Sequence, residues 1–455
     1  MIFLKRKRLI FWLMRAYLKR WGKTISVFFF LGLVLFLLLF LNKDTIYSAI
    51  PVINTKSIGI AGDFPSDNFP NNLPEEILNK TSRGLTKISP TGEILPDLAK
   101  KWEVKDEGKT FVFYLNDDIY FSNGKPVDSY SINYNFADAS IERPAKSVII
   151  FKLKDKYSPF LVTLANRKVF DKDMNGVSDF KIKDVKTKDG FIKNIELESK
   201  KDKKSIKYFF YPTQNALKDA YALGDVSKIT DINNLEYNGK KFTDFKNTGA
   251  DKITNYSKIA TVFLNTKDPL ISDKKLRKAL AYSLPDKFDE GVRTYTPYSP
   301  KHWANNNSES FSLDLEYAKL QLEDSEASTD KKIKIELTTL RPYRFVAEDI
   351  AKHWKALGIE TQIKIADGIP GNYQAFLGEL PLIKDPDQYA YWHTGQSTNI
   401  TNYRNLRIDK LLEDGRRTYD LEERKKIYED FQKYLIDDMP AIFLYFPYTY
   451  TLTRR

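Results

Sequence analysis

The sequence predicts an α/β protein. Residues 332–367 contain an apolar strand, a helix with apolar residues at helical spacing, and a second apolar strand. A strand–helix–strand connection of this length joins two parallel strands by a right-handed crossover. Residues 111–115 (FVFYL) are typical of a further strand. Residues 95–102 are predicted to form a short helix with Leu98, Ala99 and Trp102 on one face.

The C-terminal region is predicted to contain a helix followed by a strand. The helix has apolar residues at helical spacing from Leu421 to Leu435, and Asp420 and Glu423 are placed to cap its N-terminus. Residues 441–452 would form the strand.

The N-terminus predicts a membrane anchor. Residues 25–41 are almost entirely apolar, and eight positive charges precede them. We expect an uncleaved transmembrane helix with a cytoplasmic N-terminus and everything after residue 44 outside the membrane; a cleaved signal peptide is the alternative. The basic residues 1–24 would lie along the inner membrane surface, and residues 42–56 would form a tether. Without cysteine, no lipid anchor is possible.

The composition excludes several functions. The net charge is +12, but residues 1–43 hold nine basic and no acidic residues, so the remainder is nearly neutral. The high isoelectric point therefore does not indicate nucleic-acid binding. The absence of cysteine excludes disulfides and thiolate metal sites.

Residues 384–403 (KDPDQYAYWHTGQSTNITNY) are the strongest candidate for a binding site. Pro386 favours an extended conformation at the preceding carboxylate. A carboxylate beside aromatic rings suits an ammonium group, through a charge-assisted hydrogen bond and cation–π contact. The alternative is a capped loop whose aromatic side chains fill the core. The candidate ligand-binding residues in this stretch are Asp385, Asp387, Tyr389, Trp392, His393 and Tyr403.

An enzymatic function has little support. The chain has three histidines, no cysteine, no G-x-S-x-G motif and no P-loop. Asp385 and Asp387 could be drawn as an acid–base pair, but their spacing fixes no separation of the side chains. We therefore predict no catalytic residues and no cofactor.

Two further candidate sites are open to simpler explanations. Residues 171–179 (DKDMNGVSD) resemble a calcium loop with a glycine at the sharp turn, but Ile182 replaces the glutamate of a complete EF-hand. A solvated loop is the alternative. Arg341 follows the first strand of the βαβ unit, at the sheet edge where ligands bind. It or Arg344 could meet a ligand carboxylate, or simply lie in solvent. The candidate calcium ligands are Asp171, Asp173, Asn175 and Asp179.

Four stretches together resemble a known family. They are residues 82–136, with SRGLTKISPTGEILPDLAKKWEV, residues 260–284 (ATVFLNTKDPLISDKKLRKALAYSL), the 384–403 stretch, and residues 440–446 (PAIFLYF). The chain resembles the family 5 peptide-binding extracytoplasmic solute-binding proteins of ABC importers over residues 57–455. It departs from the family pattern at residues 137–146, where the segment is shorter than in the family, and at residues 176–181, where the family's sequence motif is only partly kept.

The resemblance implies a two-lobed periplasmic-binding-protein-like fold (type II, cluster C-like) with a hinge. Lobe I would comprise residues 57–262 with a C-terminal return at 441–455, and lobe II residues 263–440. The hinge would lie where the chain crosses near residues 261–265 and 441–446, so that the lobes close on a ligand. Trp303 would cover the pocket, and Asp385 or Asp387 would hold the α-ammonium group of a peptide.

The implied function is a membrane-anchored, extracytoplasmic carrier that captures peptides and delivers them to an ABC permease and its ATPase subunits. We expect a monomer. Two alternatives remain open. The same fold could bind a nickel complex, haem or an oligosaccharide, or the chain could be a surface receptor or adhesion module that has lost transport.

Overall fold

The computed structural model describes residues 55–306, 312–326 and 332–454, together with the single positions 21, 30 and 32. The predicted basic segment and anchor lie outside these residues apart from those single positions, as does all of the predicted tether except residues 55 and 56. Among the described residues, no helix has the length and hydropathy needed to cross a membrane.

Within these described ranges, twenty strands form the sheets. In chain order they are β1 (Thr55–Ala61), β2 (Thr86–Ile88), β3 (Ile94–Pro96), β4 (Ala99–Lys105), β5 (Thr110–Leu115), β6 (Ala139–Ala145), β7 (Val148–Leu153), β8 (Phe180–Lys188), β9 (Phe191–Ser199), β10 (Ser205–Tyr211), β11 (Lys228–Ile232), β12 (Glu236–Tyr237), β13 (Lys240–Lys241), β14 (Thr248–Thr254), β15 (Lys258–Leu264), β16 (Gly291–Arg293), β17 (Lys334–Leu340), β18 (Glu360–Ala366), β19 (Ala375–Pro381) and β20 (Ala441–Arg454).

Nine α-helices lie within the described ranges from residue 55 onward. They are α1 (Glu75–Thr81), α2 (Phe160–Asn166), α3 (Gln214–Leu223), α4 (Lys274–Tyr282), α5 (Leu315–Glu323), α6 (Arg344–Ala356), α7 (Tyr389–Trp392), α8 (Leu406–Arg417) and α9 (Leu421–Asp438).

The largest sheet of the described residues has twelve strands, and the long strand β20 joins its two halves. The first residues of β20 pair with β15, and its last residues pair with β14 and β11. Pro447 lies between these two sets of pairs. We call residues 55–254 with 448–454 the first lobe, and the described residues of 258–446 the second lobe. The strand order along the sheet is β18-β17-β19-β15-β20-β11-β1-β10-β9-β8, with β14 and β16 also paired to β20.

The second lobe contains the predicted strand–helix–strand unit. β17 and β18 are parallel, with Leu337 opposite Ile363, and α6 connects them. On α6, Val346, Ile350 and Trp354 are buried. The Trp354 indole donates to the Leu280 carbonyl of α4 at 3.1 Å. The prediction of a parallel pair joined by a helix is confirmed.

The predicted short helix at residues 95–102 is wrong, because this segment forms β3 and β4 instead. β4 pairs with β5 in a separate four-stranded sheet of order β4-β5-β7-β6. Trp102 lies opposite Phe113, with ring centroids 6.2 Å apart. Cross-strand aromatic contact therefore outweighed the helical spacing of the apolar residues.

The last helix positions a key side chain of the candidate site. α9 begins at the N-cap Asp420, whose side chain accepts a hydrogen bond from the Glu423 amide at 2.9 Å, as predicted. Tyr428, Phe431 and Leu435 of α9 are buried against the second lobe. This packing leaves the first turn of α9 beneath the loop that follows β19.

Candidate functional site

The 384–403 stretch connects β19 to α8 and is held rigidly against the second lobe. Tyr298 donates its hydroxyl hydrogen bond to the Pro386 carbonyl at 2.8 Å. The buried Gln388 side chain donates to the Pro297 carbonyl at 2.7 Å and accepts from the Trp392 indole at 2.6 Å. We call residues 384–388 the acidic loop. These hydrogen bonds attach the acidic loop to the second lobe.

Asp385 forms a buried, two-pronged ion pair with Arg424 of α9. The two guanidinium nitrogens donate to the two carboxylate oxygens at 2.6 and 3.0 Å, and the residues are 5% and 7% exposed. Arg424 also donates to the Gly415 carbonyl, and Asp385 accepts from the Asp387 amide. Burial opposes the charge on Arg424, but Asp385, together with Tyr428 and Asp387, more than offsets it and raises the pKa of the guanidinium. The Asp385 carboxylate is therefore largely satisfied within the protein.

Asp387 is also buried, at 6% exposure, but it is less completely paired. One oxygen accepts from the Tyr389 amide at 3.1 Å, and the other lies 2.8 Å from Nε of Arg416. That N–H does not align with the carboxylate as a hydrogen bond. Burial raises the pKa of Asp387, and the guanidinium of Arg416 offsets only part of the effect. The negative charge at Asp387 is therefore under-compensated.

Arg416 links the acidic loop to the first lobe. Its guanidinium lies 4.2 Å from the Tyr389 ring centroid and 5.3 Å from that of Tyr157 in the first lobe. His393 also stacks on the Tyr389 ring, with ring centroids 4.0 Å apart. One histidine nitrogen lies 3.3 Å from Glu413. The Arg416 guanidinium therefore lies against aromatic rings from both lobes.

Two cavities between the lobes adjoin the acidic loop: Tyr389, directly after the loop, lines one, and Lys384 of the loop lines the other. The larger cavity has a volume of about 600 Å³ and is lined by Tyr157 and Phe160 from the first lobe and by Tyr389, Glu413 and Arg416 from the second. Its size is that of a small-molecule site. Both groups adjoining the Asp387 carboxylate, Tyr389 and Arg416, lie on its wall.

The second cavity, of about 420 Å³, lies beside residues 255–257, the segment that connects the two lobes and that we call the hinge. We call it the hinge-side cavity. Its walls are mostly apolar, and they include Ile88 from the first lobe, Tyr256 from the hinge, and Tyr298 and Leu382 from the second lobe. His302 also lines it, and burial lowers the pKa of this imidazole.

The lobes contact one another at both ends of the cleft. At the larger cavity, Ser158 donates its amide to the Arg416 carbonyl at 2.7 Å, and the Tyr419 hydroxyl donates to the Gly108 carbonyl at 2.8 Å. At the hinge-side cavity, Lys384 of the acidic loop pairs with Glu75 of α1. The structure therefore shows the cleft closed.

Trp303 crosses from the second lobe to the first. Its amide donates to the Thr91 carbonyl at 2.8 Å, and its indole donates to the Gly92 carbonyl at 3.2 Å. Its ring also lies 5.6 Å from the guanidinium carbon of Arg424. Trp303 is thus placed between the lobes, beside the buried ion pair.

The approach of the two lobes at Trp303 requires a glycine. Gly92 has φ +88°, and a Cβ there would lie 2.5 Å from Nε2 of His302. We expect Gly92→Ala to destabilise the protein more than Gly124→Ala, which has a similar φ of +82° but open space around it. Each should lose about 1–2 kcal/mol for backbone strain, and Gly92→Ala should lose more because the His302 ring of the second lobe must move away. Urea unfolding measures both variants, and equal losses would contradict the closed contact.

The remaining predicted residues lie elsewhere. Trp392, at 1% exposure, and Tyr403 are packed in the core of the second lobe rather than in the cleft. The Trp392 ring meets Phe443 edge-on at 6.1 Å. Burying these large rings is favourable, which explains why they pack in the core rather than in the cleft. The side chain of Arg341 is 78% exposed and lies 3.8 Å from Asp367, and it lines neither cavity.

The predicted calcium loop is stabilised by its own hydrogen bonds. Asp171 accepts from the amides of Asp173 and Asn175 and from the side chains of Asn123 and Asn175. Against the opposing effect of burial, these donors lower the pKa of Asp171. Within the ranges that the structure describes, no group of three acidic or histidine side chains is placed to hold a metal ion. Asp179 makes no contact with the Asp171 carboxylate, so the structure gives the calcium interpretation no support.

Sequence reasoning missed the two arginines that hold the acidic loop. Arg424 occupies the apolar face of α9, three residues after Leu421 and four before Tyr428. An arginine at such a position must be paired, because an isolated buried charge is very costly. That signal could have identified Arg424. Arg416 carries no equivalent signal, because it sits among other charged residues at the end of α8.

Comparisons with known proteins agree with this arrangement. The family model for bacterial extracellular solute-binding proteins, family 5 Middle, matches residues 93–147 and 129–402. The probable D,D-dipeptide-binding periplasmic protein DdpA of Escherichia coli is 21% identical over 77% of this chain and 78% of its own length.

Solved structures show the same fold. The ABC transporter substrate-binding protein CtaP of Listeria monocytogenes is 19% identical, with a TM-score of 0.72 over 88% of this chain and 94% of that one. NikZ of Campylobacter jejuni, solved with Ni(L-His), is also 19% identical, with a TM-score of 0.69 over the same shares. The chain therefore belongs to the bacterial extracellular solute-binding proteins of family 5, the binding components of ABC importers, which are not enzymes.

Proposed function

We propose that this protein captures a peptide-like solute outside the cytoplasmic membrane and delivers it to an ABC permease with its ATPase subunits. The protein would act as a monomer, anchored by residues 25–41. The binding site would be the larger cavity between the lobes. The observation that carries the proposal is the under-compensated carboxylate of Asp387 behind the cavity wall, beside aromatic rings.

Of the two aspartates in the acidic loop, Asp387 is the one we assign to the ligand. Asp385 already accepts two hydrogen bonds from Arg424 and one from the Asp387 amide. Asp387 accepts one aligned hydrogen bond and has one poorly aligned ion pair. An α-ammonium group sharing this carboxylate with Arg416 would supply the missing compensation.

The aromatic groups on the cavity wall suit the same ligand. Tyr157 and Tyr389 flank Arg416 and offer apolar faces beside the carboxylate. Such walls bury the body of a ligand without requiring a particular side chain. The acidic loop would set the position of one charged end, and the walls would accept the remainder of the ligand.

The identity of the solute can be tested by mass spectrometry of material released on denaturing the purified full-length chain. A set of short peptides, reduced in the Asp387→Ala variant, is the expected result. A nickel complex, of the kind held by NikZ, a haem or a sugar would overturn the peptide assignment while leaving the family membership intact. Release of no solute from preparations made in peptide-rich medium would favour a receptor that has lost transport.

The pKa of Asp387 predicts how binding depends on pH. An ammonium ligand requires the ionised carboxylate, and the pKa of Asp387 is raised above its ordinary value of 3.8. On acidification, affinity should therefore fall at a higher pH than an ordinary aspartate would give. The contribution of Asp387 to stability changes in the opposite direction and rises on acidification, because the folded protein takes up this proton at a higher pH than the unfolded chain does. Calorimetric titrations at a series of pH values measure the effect. An affinity that does not change until the pH reaches the ordinary aspartate pKa would contradict it.

A further inference from the structure

Several strands of the first lobe share the end of the sheet at which the chain enters the fold. β1 begins at Thr55, which lies opposite Ser205 at the start of β10, and Ser205 lies opposite Glu198 near the end of β9. On the other side of β1, β11 lies between β1 and β20. The last residue of β20, Arg454, lies opposite Thr248 at the start of β14. We call this end of the first-lobe sheet the entry end.

The entry end lies away from the hinge and the second lobe. β20 begins in the second lobe, where Ala441 pairs with β15, and it reaches the entry end at Arg454. β14 begins at Thr248 at the entry end and stops at Thr254, directly before the hinge. A surface that covered the entry end would therefore leave the hinge and the second lobe free.

The turn between β9 and β10 places a dense positive charge at the entry end. Residues 200–204 of this turn read KKDKK. Lys204 lies 2.9 Å from Asp202 and pairs with it. Within the ranges that the structure describes, Lys201 and Lys203 form no ion pair, and both are exposed. The turn therefore presents a net positive charge to the surroundings.

Exposed apolar side chains lie at the same end. Leu223, the last residue of α3, is 79% exposed, and Phe245, three residues before β14, is 41% exposed. Arg454 lines a small surface cavity with Phe245 and donates to the Tyr221 and Ala222 carbonyls at the end of α3. Basic groups beside exposed apolar side chains are typical of protein surfaces that lie in a membrane interface.

The chain itself brings the entry end close to a membrane. Residues 25–41 are the proposed anchor, and the thirteen residues 42–54 separate it from Thr55. A chain of this length spans at most about 45 Å when fully extended. A tether this short keeps the entry end at a high effective concentration near the membrane surface, so a weak attraction is enough to hold it there.

We propose that the entry end docks onto a membrane surface that contains anionic lipids. Lys201 and Lys203 would lie beside the phosphate headgroups, and Leu223 would enter the interfacial layer. The proposal rests on the proposed anchoring by residues 25–41. Docking through this end orients the anchored protein so that the hinge and the second lobe point away from the membrane.

The test measures the distance of the entry end from the lipid. The chain has no cysteine, so a single introduced cysteine carries a single label. Asn247→Cys places a nitrobenzoxadiazole dye one residue before β14, and Asn215→Cys places it at the opposite end of α3 from Leu223. Both positions are exposed. The full-length chain is reconstituted in vesicles of phosphatidylcholine, alone or mixed with phosphatidylglycerol, that contain a lipid with a spin-labelled headgroup.

The spin label quenches dye that lies at the membrane surface. We expect strong quenching of the Asn247 label only in the vesicles with phosphatidylglycerol, and weak quenching of the Asn215 label in both. Raising the salt to about 1 M, where the screening length is about 3 Å, should reverse the quenching of the Asn247 label.

Variants of the Asn247-labelled chain assign the docking to residues. Replacing Lys201 and Lys203 by glutamine should lower the ratio of docked to undocked molecules by about fivefold for each lysine. The matched control replaces Lys186 and Lys188, which are exposed near the opposite end of the β8–β9 hairpin, and should leave the ratio unchanged. Residues 184–189 around them hold two lysines and two aspartates, so they carry no net charge.

A second pair of variants tests the apolar contact. Leu223→Gln should also lower the quenching of the Asn247 label. Leu320→Gln should not, because Leu320 is 59% exposed on α5 of the second lobe, away from the entry end.

Three results would overturn the inference and leave the anchoring standing, provided that the chain floats with both kinds of vesicle. One is equal quenching of the Asn247 label with and without phosphatidylglycerol, and another is an equal effect of the two lysine pairs. The third is an Asn247 label that responds to soluble polyglutamate but not to the anionic lipid, which would assign the surface to an acidic protein. A chain that does not float with neutral vesicles would overturn the anchoring and the inference together.

Discussion

Replacing Asp387 by alanine is expected to lower the affinity for peptides with a free α-ammonium group by about 10- to 100-fold. A hydrogen bond between charged groups contributes about 1.5–3 kcal/mol, and about 1.4 kcal/mol corresponds to a factor of ten. Asp387 is buried and its charge is only partly offset by Arg416, so a ligand ammonium would gain close to the full interaction. Titration calorimetry with Ala-Ala-Ala measures the loss.

Two controls make this result specific to the ammonium. N-acetylated Ala-Ala-Ala has no ammonium, so wild type and Asp387→Ala should bind it with equal, weak affinity. Asp367→Ala removes an exposed aspartate outside both cavities and should change nothing. Retention of full affinity for free Ala-Ala-Ala by Asp387→Ala would remove Asp387 from the binding site.

Replacing Asp385 by alanine is expected to destabilise the fold by about 3–5 kcal/mol, because it leaves the charge of Arg424 buried without a partner. Arg424 is 7% exposed and both oxygens of Asp385 accept from it. The tyrosine and tryptophan rings around the guanidinium cannot replace a carboxylate. Urea unfolding, followed by intrinsic fluorescence, measures the change.

The double variant Asp385→Ala with Arg424→Met separates the ion pair from the packing around it. Removing both charges leaves no unpaired group, so the double variant should be much more stable than the sum of the two single losses predicts. Additive losses would show that the two residues act independently. They would also contradict the assignment of Asp385 as a structural partner rather than a ligand contact.

Local sequence patterns predicted much of the fold. The βαβ unit was visible because its apolar residues keep strand and helix spacing throughout. The N-cap at Asp420 was visible because capping joins a side chain to the backbone amide three residues later. Residues 95–102 were mispredicted because the partner of β4 lies on β5, and periodicity within one segment cannot report cross-strand pairing.

The candidate site was predictable only in part. The acidic loop stood out because two carboxylates, a proline and several aromatic residues fall together in the sequence. Whether each ring faces the cleft or the core depends on packing, and Trp392 and Tyr403 face the core. Arg416 and Arg424 lie on helices that begin some twenty residues or more after the loop. Only the tertiary structure shows that Arg424 pairs fully with Asp385, which makes Asp385 a structural residue, and that Arg416 pairs only partly with Asp387, which leaves Asp387 as the candidate ligand contact.

The most direct test of the binding site is a crystal structure of the protein with a bound short peptide. We expect the peptide to lie in the larger cavity, with its α-nitrogen within hydrogen-bonding distance of the Asp387 carboxylate and Asp385 still paired to Arg424. A peptide in the hinge-side cavity, or an α-nitrogen bound by Asp385 with Arg424 displaced, would contradict the assignment.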